Sequence, residues 1–196
     1  HNYAKMDLSR PETINNAFKK FSKQFRRLNI FINNASIKMQ RKEFLKLKNI
    51  EISKNIKGLL IGNIISLKKA LELSLKKSSS NQSIIINISS YASISGGKNI
   101  HLYASSKSAL NTLTTALSKD SFKKKIKFFS IVPRYIDTPS FRKNNNIKNN
   151  RDLILFKKRK KIKRIKKPKE FANFVYNKFI RNINTKYNPI IHYDSF

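Results

Sequence analysis

Ser83-Ile84-Ile85-Ile86-Asn87-Ile88-Ser89-Ser90 is followed by Tyr103-Ala104-Ser105-Ser106-Lys107, with Tyr103 lying 13 residues after Ser90. The first stretch is an apolar run bounded by turn residues, the pattern of a strand covered on both faces in a parallel sheet. In the second, a tyrosine and a lysine four residues apart share one face of a helix, one turn from each other. An ammonium beside a phenol favours the phenolate, so this pairing predicts a Tyr103 pKa lowered from about 10 toward the neutral range. A phenol tuned in this way exchanges a proton with a substrate alcohol or carbonyl. Ser90, at the end of the strand, is placed to hydrogen-bond the same oxygen. Tyr-x-x-x-Lys alone carries little weight in a chain rich in lysine, where an ordinary helix surface produces it. Its weight comes from Ser90 and from the elements on either side.

Outward from this core, apolar strands alternate with longer helical stretches, which predicts an α/β fold with a parallel sheet. Met6-Asp7-Leu8 reads as the end of a strand. Ser9 is a candidate cap for a helix with Pro11 near its start and Glu12 in its first turn. Ile14, Ala17, Phe18, Phe21 and Phe25 then recur at helical spacing. Leu28 to Ile32 reads as a strand ending at Asn33-Asn34. A long helix is expected over much of 47–77, with Leu59, Leu60, Ile64, Leu67, Leu71 and Leu75 on its buried stripe, and a polar loop follows at Ser78 to Gln82. The helix from Tyr103 to about Lys119 offers Ala104, Ala109, Leu110, Leu113 and Leu117 for packing on the sheet or on a second subunit. Phe128 to Val132 is a strand stopped by Pro133. Between Phe141 and Lys167 the apolar period is lost, and the segment reads as a mobile, basic substrate loop with one short helix near 151–161. Pro168-Lys169-Glu170 opens a helix carrying Phe171, Phe174, Val175 and Ile180, and Pro189 to Tyr193 is the last expected strand. No internal repeat is visible, and residues 1–196 are read as one domain.

Composition narrows the function. There is no cysteine, so disulfides and thiolate metal sites are excluded. His1, His101 and His192 show no metal-ligand spacing, and no metal is expected. No apolar run approaches the roughly 18 to 20 residues that span a bilayer, and no signal-peptide pattern opens the chain. A cytoplasmic location with no membrane partner is the default. The net charge of +33 comes from 43 Lys and Arg against 10 Asp and Glu. Nine of the eleven residues from Lys157 to Lys167 are basic, which admits nucleic-acid binding. Yet lysines pepper every segment, and Lys, Asn, Ile and Phe, residues favoured by A/T-rich codons, are abundant throughout. Compositional drift is the favoured reading, leaving weak non-specific polyanion binding at 157–167.

Asn33-Asn34-Ala35-Ser36 follows an apolar strand. Asn55-Ile56-Lys57-Gly58, Ser90, the Tyr103/Lys107 helix and Val132-Pro133-Arg134-Tyr135-Ile136-Asp137-Thr138 come after it. In that order these elements resemble the short-chain dehydrogenase/reductase family, over nearly the whole chain from Asp7 to about Tyr193. The resemblance implies a Rossmann-type doubly wound parallel sheet and an NAD(P)-dependent oxidoreductase that interconverts a carbonyl and an alcohol. It assigns Tyr103 as general acid/base, Lys107 as the group that tunes Tyr103 and binds the nicotinamide ribose, and Ser90 as the residue that polarises the carbonyl. Ser89 competes for that last role, with Ser93 a more distant choice. Asn55 matches the asparagine that kinks the long helix and holds a relay water, although many asparagines in this chain carry no such role. Asp7 matches an aspartate that contacts adenine, and a plain helix-start carboxylate is compatible with that role. Asn33, Asn34 and Ala35 match a motif that steadies the sheet and lines the adenosine side. Pro133, Ile136 and Thr138 match a loop that clasps the carboxamide. The nearest subgroups are sugar-dehydrogenase-like and 3-oxoacyl-reductase-like bacterial members, of the glucose-1-dehydrogenase-like kind.

The chain also departs from the family. Ser36 and Arg134 stand where the family has glycine, and Arg134 costs on the order of 1 kcal/mol if its φ is positive. The first two strands and the glycine-rich phosphate turn have no counterpart. The chain is therefore expected to be a piece of a longer protein, with the late-starting product of a decayed gene as the alternative. An open sheet edge and poor NAD(P) binding by this piece alone are expected. The second strand carries the usual NAD-versus-NADP determinant, so either cofactor remains open, NADP being favoured. The full-length protein is expected to form a dimer or tetramer through its long helices and to act on a small carbonyl or alcohol. A non-catalytic remnant and a basic nucleic-acid-binding protein are the other function classes.

Overall fold

The isoleucine-rich run does form the centre of the sheet: all six residues of β2 (Ser83–Ile88) are buried. The computed structural model describes residues 3–76, 82–120, 125–181 and 188–193, so most of the polar loop expected at 78–82 lies outside the described residues. The sheet has the order β1-β2-β3-β4, with β1 at Ile30–Asn33, β3 at Ile126–Pro133 and β4 at Ile190–Tyr193. β2 runs parallel to both of its neighbours, in a register that places Asn33 beside Asn87 and Asn87 beside Ser130. Among the described residues β1 pairs with β2 alone, so it forms an edge as expected. Leu67, Ile85, Ile126 and Phe128 form a core cluster, with Phe31, Leu71, Leu113 and Leu117 packed against it.

The helices are α1 (Pro11–Gln24), α2 (Asn49–Ile56), α3 (Gly62–Leu75), α4 (Ala92–Ser95), α5 (His101–Leu117), α6 (Pro139–Asn144), α7 (Asn150–Arg159) and α8 (Pro168–Val175). The expected long helix is interrupted by a π turn at Lys57–Ile61, which joins α2 to α3. The buried stripe keeps its helical spacing through this turn, but beyond it the stripe lies beside the expected one. Asn63, Ser66, Leu67, Ala70, Leu73 and Ser74 are buried, whereas Ile64 and Leu75 are 38% and 40% exposed. Gly62 lets α3 press on the chain before α1: a Cβ there would lie 2.0 Å from the Leu8 carbonyl oxygen.

Met6 to Leu8 is not strand. Asp7 opens a turn in which its Oδ1 accepts from the Ser9 N–H at 2.9 Å and the Ser9 hydroxyl at 2.7 Å. Ser9 is therefore not the helix cap. The N-cap of α1 is Arg10, which makes no side-chain cap, and Thr13 instead accepts from the Asp7 N–H at 2.9 Å.

Two compact units are distinguished, 1–132 with 188–191 and 133–187 with 192–196. The second carries an apolar cluster that its sequence hides. Ile147, Phe156 and Ile162 are buried, with Tyr135, Phe141, Leu153 and Ile165 packed on them. Both α6 and α7 end in a left-handed residue, Asn146 at φ 56° and Lys161 at φ 52°. At α6 the Ile147 N–H donates to the Arg142 carbonyl at 2.9 Å, and at α7 the Ile162 N–H donates to the Lys157 carbonyl at 2.9 Å. These are Schellman turns, which fold an apolar residue beyond the helix back onto its last turns. Ile147 and Ile162, the residues so folded back, join Phe141 and Phe156 in that cluster, and the two phenylalanine rings meet edge to face at 5.3 Å.

Candidate active site

The row Asn33–Asn87–Ser130 crosses the carboxyl-terminal half of the sheet and is buried. A buried amide is tolerated only when its donors are satisfied. Asn33 Nδ2 donates to Asn87 Oδ1 at 2.9 Å, Asn87 Nδ2 donates to Thr114 Oγ1 at 2.9 Å, and Thr114 donates to the Leu110 carbonyl at 2.7 Å. This chain ties β1 and β2 to α5 near the middle of the helix. Asn34 and Ala35, just beyond it, are exposed. Ser36 has no positive φ, so serine there costs no backbone strain.

Beyond β2 the chain turns sharply. Ser90 Oγ accepts from the Ala92 N–H at 3.2 Å, and the Ser90 hydroxyl faces the Tyr103 phenol closely enough to lower its pKa. Ser89 instead donates to the Lys107 carbonyl at 3.2 Å, inside the β2–α5 contact. Of the competing serines, Ser90 is therefore the one that meets Tyr103. Lys107 is 4% exposed, and its ammonium donates to the Ile88 carbonyl at 2.8 Å. Its Nζ lies 5.9 Å from the centre of the Tyr103 ring.

The electrostatics correct the expected tuning. Burial pushes the Tyr103 phenol above its ordinary value, and the Ser90 hydroxyl only partly opposes that. The Lys107 ammonium is directed at the Ile88 carbonyl rather than at the phenol. Burial also lowers the Lys107 pKa from 10.5 to about 8. At neutral pH the site accordingly holds a neutral phenol and a cationic lysine.

Asn55 is buried at the end of α2, just before the π turn. Its Nδ2 donates to Gln40 Oε1 and to the Glu51 carbonyl, both at 2.8 Å. Gln40 donates to Glu51 Oε1 at 2.7 Å, and Lys42 pairs with Glu51 Oε2 at 2.7 Å. Those partners, with the Lys48 N–H, hold the Glu51 carboxyl down at about 2. The Asp7 carboxylate is exposed and is engaged by Ser9, whose hydrogen bonds lower its pKa.

In the second unit, Pro133 ends β3, and Ile136 forms an isolated parallel bridge with Lys166. Thr138 caps α6, its Oγ1 accepting from the Phe141 N–H at 3.0 Å. Asp137 and Arg142 form a two-point ion pair at 2.6 and 2.8 Å, which lowers the Asp137 pKa. Arg134 is not among the residues with positive φ, so the strain anticipated there does not arise.

Sequence reading missed Gln40, Glu51, Thr114, Asn111 and Ser130. Asn87 gave a signal: an amide inside a wholly apolar strand needs partners on the next layer.

The sequence model of the family described as short chain dehydrogenase matches residues 1–149. The chain is 27% identical over 133 residues to the 3-oxoacyl-acyl-carrier-protein reductase of Bos taurus, covering 67% of this chain and 54% of that protein. It is 28% identical over 148 residues to the enzyme of the same name from Chlamydia trachomatis, covering 75% and 58%. The chain thus spans little more than half the length of these curated relatives. Among solved structures, levodione reductase superposes with a TM-score of 0.81 at 20% identity, over 97% of this chain and 74% of that one. The 3-ketoacyl-acyl-carrier-protein reductase of Brucella melitensis complexed with NADH gives 0.73 at 16% identity, over 98% and 76%. At these identities the structural likeness establishes the fold.

Proposed function

Given that this chain belongs to the short chain dehydrogenase family, we propose that it carries the proton-transfer half of an NAD(P)-dependent oxidoreductase that interconverts a carbonyl and an alcohol. The observation that carries the reading is the facing pair of Ser90 and Tyr103, with Lys107 one turn along the same helix. The donor set fits a nicotinamide site: a buried cation lies beside a neutral phenol and a hydroxyl. When bound, that cofactor supplies the hydride.

The chain's own residues do the rest. The Ser90 hydroxyl holds the substrate oxygen and stabilises the negative charge that develops on it. The Tyr103 hydroxyl gives its proton to that oxygen, completing the alcohol, and a neutral phenol suits this direction. Lys107 keeps a positive charge beside the phenolate that remains, and it is the candidate to hold the ribose. Asn55 is the candidate support for a relay that returns the proton. Asp7, Asn34 and Ala35 are assigned to the adenosine side, and Pro133, Ile136 and Thr138 to the carboxamide. The two curated relatives favour a 3-oxoacyl thioester as substrate class, with NADP favoured over NAD.

Tyr103→Phe, made in the active protein, is expected to lower turnover at least a hundredfold while leaving NADPH affinity, read by fluorescence titration, unchanged. Undiminished turnover would remove the proposed acid.

Assembly into a dimer or tetramer is part of the same proposal. Ile50, Ile61, Ile64 and Leu75 lie exposed along α2, the π turn and α3, an apolar surface suited to a second subunit. Light scattering that finds only monomer would refute this.

A further inference from the structure

Behind the turn that presents Ser90 lies a second line of hydrogen bonds, which the proposed chemistry does not use. Ser130, on β3, donates to Asn111 Oδ1 at 2.7 Å. Asn111 sits on α5, two turns beyond Tyr103, and its Nδ2 donates to Ser93 Oγ at 2.8 Å. The Ser93 hydroxyl in turn donates to the Ser90 carbonyl at 2.6 Å. We propose that Asn111, acting through Ser93, is a positioning residue that sets the Ser90 turn so that the Ser90 hydroxyl meets the Tyr103 phenol.

The geometry favours this over a purely structural role. An amide with one donor and one acceptor pinned on opposite sides fixes a direction as well as a distance. Here the acceptor is held by β3 and the donor is aimed at the turn. Ser90 is therefore constrained at its carbonyl by Ser93 and at its Oγ by the Ala92 N–H at 3.2 Å. The first bond holds the backbone of the turn and the second holds the hydroxyl. Thr114, on the same helix, makes a comparable buried bond to Asn87, but its line runs to β1 and β2 and not to the Ser90 turn. It supplies an internal comparison.

The test uses the full chain with ¹³C-labelled tyrosine. The Tyr103 ring carbon is assigned by its loss in Tyr103→Phe and is titrated against pH. Asn111→Leu is expected to move the Tyr103 midpoint upward, in the same sense as Ser90→Ala, because the phenolate loses the serine donor. Ser93→Ala is expected to do the same, and it serves alone if Asn111→Leu does not fold. Thr114→Val is expected to lower the melting temperature and leave the Tyr103 midpoint in place. A folded Asn111→Leu or Ser93→Ala chain whose Tyr103 titrates as in wild type would overturn the proposal. So would a Thr114→Val chain that shifts Tyr103 equally. The proposal rests on the oxidoreductase reading only for its catalytic meaning. The titration needs neither cofactor nor turnover, so its failure is separable from a failure of that reading. Where turnover is measurable, Asn111→Leu is expected to lower kcat about tenfold, the loss of one hydrogen bond, with little change in KM.

Discussion

The Lys107 ammonium donates to the Ile88 carbonyl at 2.8 Å, across the layer between α5 and β2. That bond satisfies the last carbonyl of the buried strand, and it holds a cation where burial has lowered its pKa to about 8. Between about pH 8 and 10.5 the unfolded chain keeps a proton that the folded chain has released, so stability rises with pH across that window. Below about pH 8 both states hold the proton, and burial of the charge costs on the order of 3 kcal/mol. Tyr103 acts in the opposite sense above pH 10, where the unfolded chain loses a proton that the raised phenol keeps. Urea midpoints at pH 7 and pH 9.5 should therefore differ, with the higher value at pH 9.5. Lys107→Met should flatten the difference, and an equal rise in both proteins would show that Lys107 is not the titrating group.

How far the sequence reveals this structure depends on which interactions have a short-range signature. β2 was legible because Ile84, Ile85, Ile86 and Ile88 form a run bounded by serines, and its boundaries agree with the structure within two residues. β3, β4, α1, α5 and α7 were legible by the same kind of pattern. The π turn at Lys57–Ile61 was not, because nothing in its composition distinguishes it from an α turn. The buried face, too, was misplaced: it takes in Asn63 and Ser74, polar residues that an apolar stripe passes over, and leaves Ile64 and Leu75 partly exposed. The cluster in the second unit was also hidden. Phe141 and Ile147, like Phe156 and Ile162, lie six apart, too far along a straight helix or strand to touch, and a reversing turn brings them into one cluster. At the candidate site, Ser90, Tyr103 and Lys107 were readable because their spacing is local. Asn111 was not, since its partners Ser93 and Ser130 come from two other elements.

Lys161 holds φ at 52° in the turn that ends α7, where glycine is the preferred residue. A side chain in this conformation costs roughly 1 kcal/mol relative to glycine. The hydrogen bonds of the turn come from the backbone: the Lys161 N–H donates to the Lys158 carbonyl at 3.1 Å and the Ile162 N–H to the Lys157 carbonyl at 2.9 Å. Substitution leaves them intact. Lys161→Gly is therefore expected to stabilise the chain by a few tenths to about 1 kcal/mol in urea denaturation. Lys160→Gly, one residue earlier at φ −91°, is expected to give no such gain. Destabilisation by Lys161→Gly would mean that the left-handed turn is not the ground state there.

The basic run from Lys157 to Lys167 lies around the end of α7. Glu170 pairs with Arg164 and lies 3.9 Å from Lys166, and Lys167 helps to lower the Asp137 pKa. Most of the remaining cations face solvent, so the segment attracts polyanions. If the charge is compositional, the attraction is spread over the whole chain, with 43 Lys and Arg to share it. Duplex DNA binding should then be measurable near 50 mM salt and fall by orders of magnitude by about 200 mM. The double substitution Lys160→Glu with Lys163→Glu should weaken it no more than Lys19→Glu with Lys23→Glu on α1. The comparison separates a site from a background, because both variants change net charge equally. Fluorescence anisotropy across a salt series reads both quantities. Binding that survives 150 mM salt and is lost only in the Lys160/Lys163 variant would establish a dedicated nucleic-acid surface and overturn the drift reading.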